Sequence, residues 1–169
     1  PIFKWEEAQK TAGDISKWVD SSPDKTSILF CYSLGKAQRL LNEISKSNFK
    51  NNIYTHSSIN NMNNCYKKLG INIVNTDKFD KTQNIDKFKG SLILLPPALH
   101  KGSYLKKFKT IQTGFASGWM AIRALRKRSG YDKGFAISDH ADWEAILNTV
   151  KETEAKNIFF HHGDSDALS

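Results

Sequence analysis

Two unbroken apolar runs constrain this chain more than any other feature. Ser27-Ile-Leu-Phe-Cys-Tyr32 and Ser91-Leu-Ile-Leu-Leu95 have the length of strands and no polar face. Each must be covered on both sides, which is the mark of a strand inside a parallel sheet. The second run is stopped by Pro96-Pro97, because proline cannot continue a ladder. Around these runs lie segments with helical periodicity. Lys4 to Val19 places Trp5, Ala8, Ala12, Ile15 and Val19 roughly on one face. Leu34-Gly35 turns the chain into a helix over Lys36 to Ser45, and a third helix spans Asn60 to Leu69, closed by Gly70. Further strands are expected at Ile53–Thr55, Ile71–Val74, Thr113–Met120, Phe135–Ile137 and Asn157–Phe160, with helices at Ala121–Lys127 and Asp142–Ala155 and a polar loop over 75–90. Strand alternating with helix implies an α/β fold: a mainly parallel sheet with helices on both faces. Ligand sites in such sheets lie beyond the carboxyl ends of the strands.

The 169 residues, 39% hydrophobic and 11% aromatic, suffice for a packed core and exclude wholesale disorder. No apolar run approaches the roughly 20 residues of a membrane-spanning helix, and Pro1 to Asp20 shows no signal pattern, so no membrane association is expected. Cys31 and Cys65 form neither a disulfide framework nor a CxxC knuckle. Cys31 reads as a reduced core residue, and a cytoplasmic location follows as the default. Charge is unevenly distributed. Residues 1–129 hold 22 basic and 9 acidic residues, net +13, whereas residues 130–169 hold 3 and 8, net −5. Such asymmetry fits a polyanion partner; a lysine-rich solvated surface fits it equally well.

Four segments could carry chemistry. Phe135-Ala-Ile-Ser-Asp-His-Ala-Asp-Trp143 delivers His140 between Asp139 and Asp142 at a strand end. A carboxylate beside an imidazole fixes its tautomer and raises its proton affinity, which suits a general acid. The alternative is a surface histidine beside aspartates of which Asp142 caps the next helix. Asn157-Ile-Phe-Phe-His-His-Gly-Asp164 ends another strand in two histidines, a common metal-ligand arrangement, although zinc needs three or four protein ligands. Tyr32-Ser-Leu-Gly-Lys-Ala-Gln-Arg39 leads a strand into a helix whose first amides and Lys36 could meet phosphate; the Walker pattern is absent. Phe115-Ala-Ser-Gly-Trp-Met120, followed by Arg123, Arg126, Lys127 and Arg128, could stack a base on Trp119 while the arginines meet phosphates. A core tryptophan beside a solvated basic helix accounts for the same residues.

Together these segments resemble one family. Ser-Asp-His-Ala-Asp-Trp, then about twenty residues, then a strand ending His-His-Gly is similar to the last two motifs of the β-CASP nucleases, metallo-β-lactamase-fold enzymes that cut nucleic-acid phosphodiesters. Tyr32-x-Leu-Gly-Lys-x-Gln-Arg39, Phe115-Ala-Ser-Gly-Trp-Met120 and the opening Pro1-Ile-Phe-Lys-Trp5 resemble the ligase-associated DNA exonuclease branch, often labelled an mRNA 3′-end processing factor. The resemblance implies a β-CASP-like α/β domain over residues 1–129 and an incomplete C-terminal part of the metallo-β-lactamase domain, a β-α-β remnant, over 130–169. It implies that His140 protonates the leaving oxygen, that Asp142 supports its loop, and that His162 is a zinc ligand. It implies a nucleic-acid face containing Lys36, Arg39, Trp119, Arg123 and Arg126, a hydrolase acting on DNA or RNA, a role in DNA repair, and a DNA ligase and helicase as partners.

The family's principal zinc motif, His-x-His-x-Asp-His, does not occur in these residues. The resemblance therefore implies that two zinc ions belong to the intact enzyme, with the missing N-terminal half as a further partner, and that this chain alone binds zinc weakly or not at all and is inactive. Two rival readings remain at this point. One is a non-catalytic nucleic-acid-binding α/β module; the other is a small-molecule binder using Gly35 and Lys36.

Overall fold

The computed structural model describes residues 4–128 and 130–159. The chain divides into two compact units, one spanning Trp5–Asp139 and the other combining the first four residues with those from His140 onward.

The larger unit is a six-stranded sheet. Its strands are β1 (Thr26–Phe30), β2 (Ile53–Thr55), β3 (Asp77–Lys78), β4 (Leu92–Leu95), β5 (Ile111–Ala116) and β6 (Lys133–Phe135). Their order is β3-β2-β4-β1-β5-β6, and every pairing is parallel. The expected α/β class with a mainly parallel sheet is what the chain adopts. The two apolar runs become β4 and β1 side by side, in register from Ser27 with Leu92 to Phe30 with Leu95, and both are buried along their whole length.

Alternation along these strands sends side chains to opposite faces. Leu29, Cys31, Leu92 and Leu94 enter one hydrophobic cluster with residues of three helices, α1 (Ala8–Asp20), α2 (Lys36–Ser45) and α3 (Ser57–Lys68). Ala37, Leu40, Leu41 and Ile44 of α2 recur at i, i+3, i+4 and i+7, the stripe of an amphipathic helix. The Cys31 thiol, buried there, is pushed up to about 12 by desolvation, in keeping with a core role. Ile28, Phe30, Ile93 and Leu95 enter a second cluster with Tyr54, Phe79, Phe88 and Phe108. Over that cluster lie short 3-10 turns, at Ile85–Phe88, Pro97–Leu99 and Ser103–Lys107.

Several boundaries depart from the expected ones. The edge strand is not Ile71–Val74 but Asp77–Lys78, both exposed. Ile73 instead packs into the helical cluster. A short, charged edge resists further pairing, and its lack of apolar residues hides it from periodicity. Helix α3 begins at Ser57, earlier than Asn60, because the His56 imidazole accepts the Ser58 amide and caps it. Strand β5 ends at Ala116, and a 3-10 turn over Gly118–Ala121 follows, before the short helix α4 (Arg123–Arg128).

Strand β6 pairs with β5, from Gly114 with Lys133 to Ala116 with Phe135. The Asp132 carboxylate accepts from the Thr113 amide and hydroxyl at 2.7 and 2.9 Å, and the Thr11 hydroxyl donates to the Ala136 carbonyl at 3.1 Å. Residues 130–139 therefore pack with the larger unit. The compact unit that holds the sheet extends to Asp139.

In the smaller unit, α5 (Trp143–Glu152) starts at Asp142, whose Oδ1 accepts the Ala145 amide at 2.9 Å. The expected cap is thus formed. Lys4 and Glu144 make an exposed ion pair at 2.8 Å. The strand expected at Asn157–Phe160 does not form over the described residues 157–159. A strand needs a hydrogen-bonded neighbour, and Phe159 is 92% exposed. Phe160, His161 and His162 lie outside the described residues.

Candidate functional site

The carboxyl end of β1 is shaped by the turn from Cys31 to Lys36. Gly35 adopts a φ of 79° and precedes α2, a conformation that L side chains rarely take. A Cβ at Gly35 would stand 2.8 Å from Asp139 Oδ2. Two independent constraints, backbone sign and close approach, therefore call for glycine here.

Lys36 follows as the first residue of α2. Its side chain is only 7% exposed, and its Nζ meets Asp139 Oδ1 at 2.8 Å. The ammonium also lies 5.1 Å from the centre of the Tyr32 ring. A cation at a helix N-terminus opposes the helix dipole, and a buried one needs a counter-charge. Asp139 supplies it. One turn further along α2, Arg39 Nη1 donates to the Ser138 carbonyl. Gln38 donates to the Ser33 carbonyl at 3.0 Å and to Asn63 Oδ1 at 2.9 Å, which ties α2 to the β1 turn and to α3. The start of α2 thus holds Ser138 and Asp139, the two residues that follow β6 and Ile137, from a position about a hundred residues earlier in the chain.

The expectation that Lys36 and Arg39 face phosphate meets a different geometry. Both are turned onto the 138–139 segment, and the Lys36 charge is already neutralised by Asp139. Trp119, 58% exposed, follows the neighbouring strand β5, and Tyr32 and Leu34 are 53% and 63% exposed in the turn after β1. The carboxyl ends of these adjacent strands therefore present apolar and aromatic surface. Arg123 and Arg126 lie on α4, which has no buried residue. A Cβ at Gly134 of β6 would stand 2.9 Å from Arg126 Cγ, so the stem of that arginine packs on the strand.

His140 and Asp142 lie in the smaller unit, in the loop before α5, with His140 exposed. Asp142 is occupied as the cap of α5. Among the described residues no group of three or more His, Cys, Asp or Glu side chains could hold a metal ion. Those residues do not fit a closed zinc site, which needs three or four ligands. Among the described residues, no helix is long and apolar enough to cross a membrane.

Asp139 is the functional-site residue that spacing alone undervalues. The signal that could have pointed to it is a lysine at the first position of a helix, which opposes the helix dipole and gains from a nearby counter-charge.

No protein-family model matches the chain. A curated relative, the probable DNA ligase of Opitutus terrae, is 26% identical over 140 residues. The alignment takes in 83% of this chain and 13% of the ligase, so the chain is similar over most of its length to a small part of a much longer protein.

Proposed function

We propose that this chain is the C-terminal portion of a zinc-dependent DNA exonuclease of the β-CASP kind. One observation carries the reading. The Leu-Gly-Lys-x-Gln-Arg segment and the Ser-Asp-His-Ala-Asp-Trp segment, which carry the resemblance separately, meet through Lys36–Asp139 and Arg39–Ser138. The name of the Opitutus terrae relative, a probable DNA ligase, favours DNA as the polyanion and a ligase as a functional neighbour.

In this reading Lys36, Arg39 and Gly35 are positioning residues. They hold Ser138 and Asp139, the two residues directly before His140 in sequence. His140 donates a proton to the leaving oxygen as the phosphodiester bond breaks, a step typically worth about 10²–10⁴-fold. Trp119 stacks a base, and Arg123 and Arg126 meet phosphates. The intact enzyme would hold two zinc ions, with His162 as one ligand and the remaining ligands from sequence outside these residues.

The test is made on the full-length protein, with zinc content and phosphodiester cleavage measured on the same preparations. His140→Ala should reduce turnover and leave zinc content unchanged. His162→Ala should reduce both together. Normal cleavage in both variants would remove the β-CASP reading; DNA binding by the full-length protein without any cleavage would replace it by a non-catalytic nucleic-acid-binding module.

A further inference from the structure

The turn after β1 carries an aromatic ring with no role so far. Tyr32 directly follows the fully buried Cys31, yet more than half of it is exposed, and it belongs to neither hydrophobic cluster. The Lys36 ammonium lies over the Tyr32 ring, 5.1 Å from its centre. That ammonium is itself buried and fixed on Asp139 Oδ1 at 2.8 Å. A cation is attracted to the face of a ring, so Tyr32 is held from the protein side while much of the side chain stays open to solvent.

Trp119 repeats the arrangement on the neighbouring strand. Strands β1 and β5 are parallel and in register, with Phe30 opposite Phe115, so both turns leave the same end of the sheet. Ser117 and Met120, which flank Gly118 and Trp119, are buried. A Cβ at Gly118 would stand 3.0 Å from Trp5 Cη2, so the backbone there is closely packed while the indole remains exposed. A single exposed apolar residue needs no explanation. Two anchored rings at the carboxyl ends of adjacent strands, where sheets of this kind bind ligands, do.

Charge identifies the occupant. Between Lys87 and Tyr131, the stretch that contains β5 and Trp119, there are ten basic residues and no acidic one. Arg123 and Arg126 follow Trp119 within two helical turns. Flat rings joined to an excess of cations suit a nucleic-acid strand, whose bases stack and whose phosphates are anionic. We propose that Tyr32 is a second stacking residue, taking a base of the strand beside the one taken by Trp119. The proposal rests on the nuclease reading and adds a substrate contact to the same site. It also gives Lys36 an indirect part in binding: it holds the ring rather than meeting a phosphate.

The experiment measures binding of the full-length protein to a single-stranded deoxyribonucleotide with phosphorothioate linkages, which resist cleavage, and to a series in which each base in turn is replaced by an abasic site. Tyr32→Ala should weaken binding of the intact strand about fivefold to a hundredfold, the range for loss of one base–aromatic stack. Tyr32→Phe, which keeps the ring, should bind as the parent does. At one position the abasic replacement should cost as much as Tyr32→Ala, and the two together should cost no more than either alone. Unchanged binding by Tyr32→Ala would overturn the proposal. So would a loss that adds independently to every abasic replacement and comes with a lowered melting temperature, which would make Tyr32 a packing contact of the full-length protein. Cleavage of an unmodified strand separates the two readings. Cleavage that is indifferent to Tyr32→Ala, with no coupled position, would overturn the stacking and leave the nuclease reading standing. A coupled position without any cleavage would do the reverse, and neither binding nor cleavage would overturn both.

Discussion

One face of the sheet is sealed by three α-helices, the other by 3-10 turns and connecting segments threaded with aromatic rings. The strands supply both faces equally, since β1 and β4 alternate between them. The covers differ in how they are held. An α-helix satisfies its own backbone through i to i−4 hydrogen bonds. The 3-10 turns over the second face make only short i to i−3 runs, so their order leans more on ring packing. Phe88 contacts Tyr54, Phe79 and Phe108 at ring-centre distances of 4.8, 5.2 and 6.2 Å. Tyr131 packs against Phe30, Phe115 and His100. The helical face gives the clasp on Asp139; the rings of Phe79 and Tyr104, with His56 and Ser57 at the start of α3 and with Lys78, Asp80 and Lys81, border a cleft of about 580 Å³. Precision in this molecule follows the helices, and open volume follows the turns.

The largest effect should come from removing the central ring. Phe88→Ala should lower stability by about 3–5 kcal/mol in urea unfolding. Amide-exchange protection should fall most over residues 79–108. Leu94→Ala, on the helical face, should cost about 2–5 kcal/mol with protection lost evenly. Even loss in both variants would erase the distinction between the faces.

Gly35→Ala tests the clasp from the backbone side. The positive φ and the approach of Asp139 Oδ2 should together cost about 1–3 kcal/mol. An unchanged melting temperature would show that the turn has room to relax.

Asp139→Asn keeps the shape and removes the charge. It leaves the buried Lys36 ammonium without a counter-ion. Loss of one partner of a fully buried pair costs about 3–5 kcal/mol; Asp139 is about a third exposed, so about 1–2 kcal/mol is expected here after solvent screening. The double variant Lys36→Met/Asp139→Asn should recover part of that loss. A double variant less stable than Asp139→Asn would contradict a simple ion-pair account.

The smallest effect concerns pH. Burial holds the His56 imidazole below its ordinary value of 6.5, so the unfolded chain binds that proton more readily than the folded one. Stability from the neutral ring is present above about 6.5 and is lost as pH falls toward the depressed folded value. Protonation also removes the lone pair that caps the Ser58 amide. His56→Asn, which can cap without titrating, should flatten the acid side of the stability profile. An unchanged profile would place the pH dependence elsewhere, for example at His100, an imidazole also held low by burial.

Much of the fold was legible in residue order. The two apolar runs named the central strands, and the Leu34-Gly35 turn marked the start of the helix over Lys36 to Ser45 that packs on them. The cap at Asp142 was legible too, because a cap is decided within three residues. The β3 edge at Asp77–Lys78 was not, since nothing apolar marks it. Of the candidate site, the segments were legible and their partnership was not. Lys36 and Arg39 looked like free cations until Asp139 and Ser138 stood beside them.

The sequence by itself determined the α/β class, the buried strands and the amphipathic faces, because these depend on the periodicity of neighbouring residues along the chain. Only the tertiary structure decided which strand lies beside which, that Lys36 is neutralised rather than available, and that His56, Lys78, Lys81 and Tyr104 share one cleft. Those outcomes depend on which groups from distant parts of the chain come within a few ångströms of one another. Charge, burial and hydrogen bonding acquire their values only at that distance.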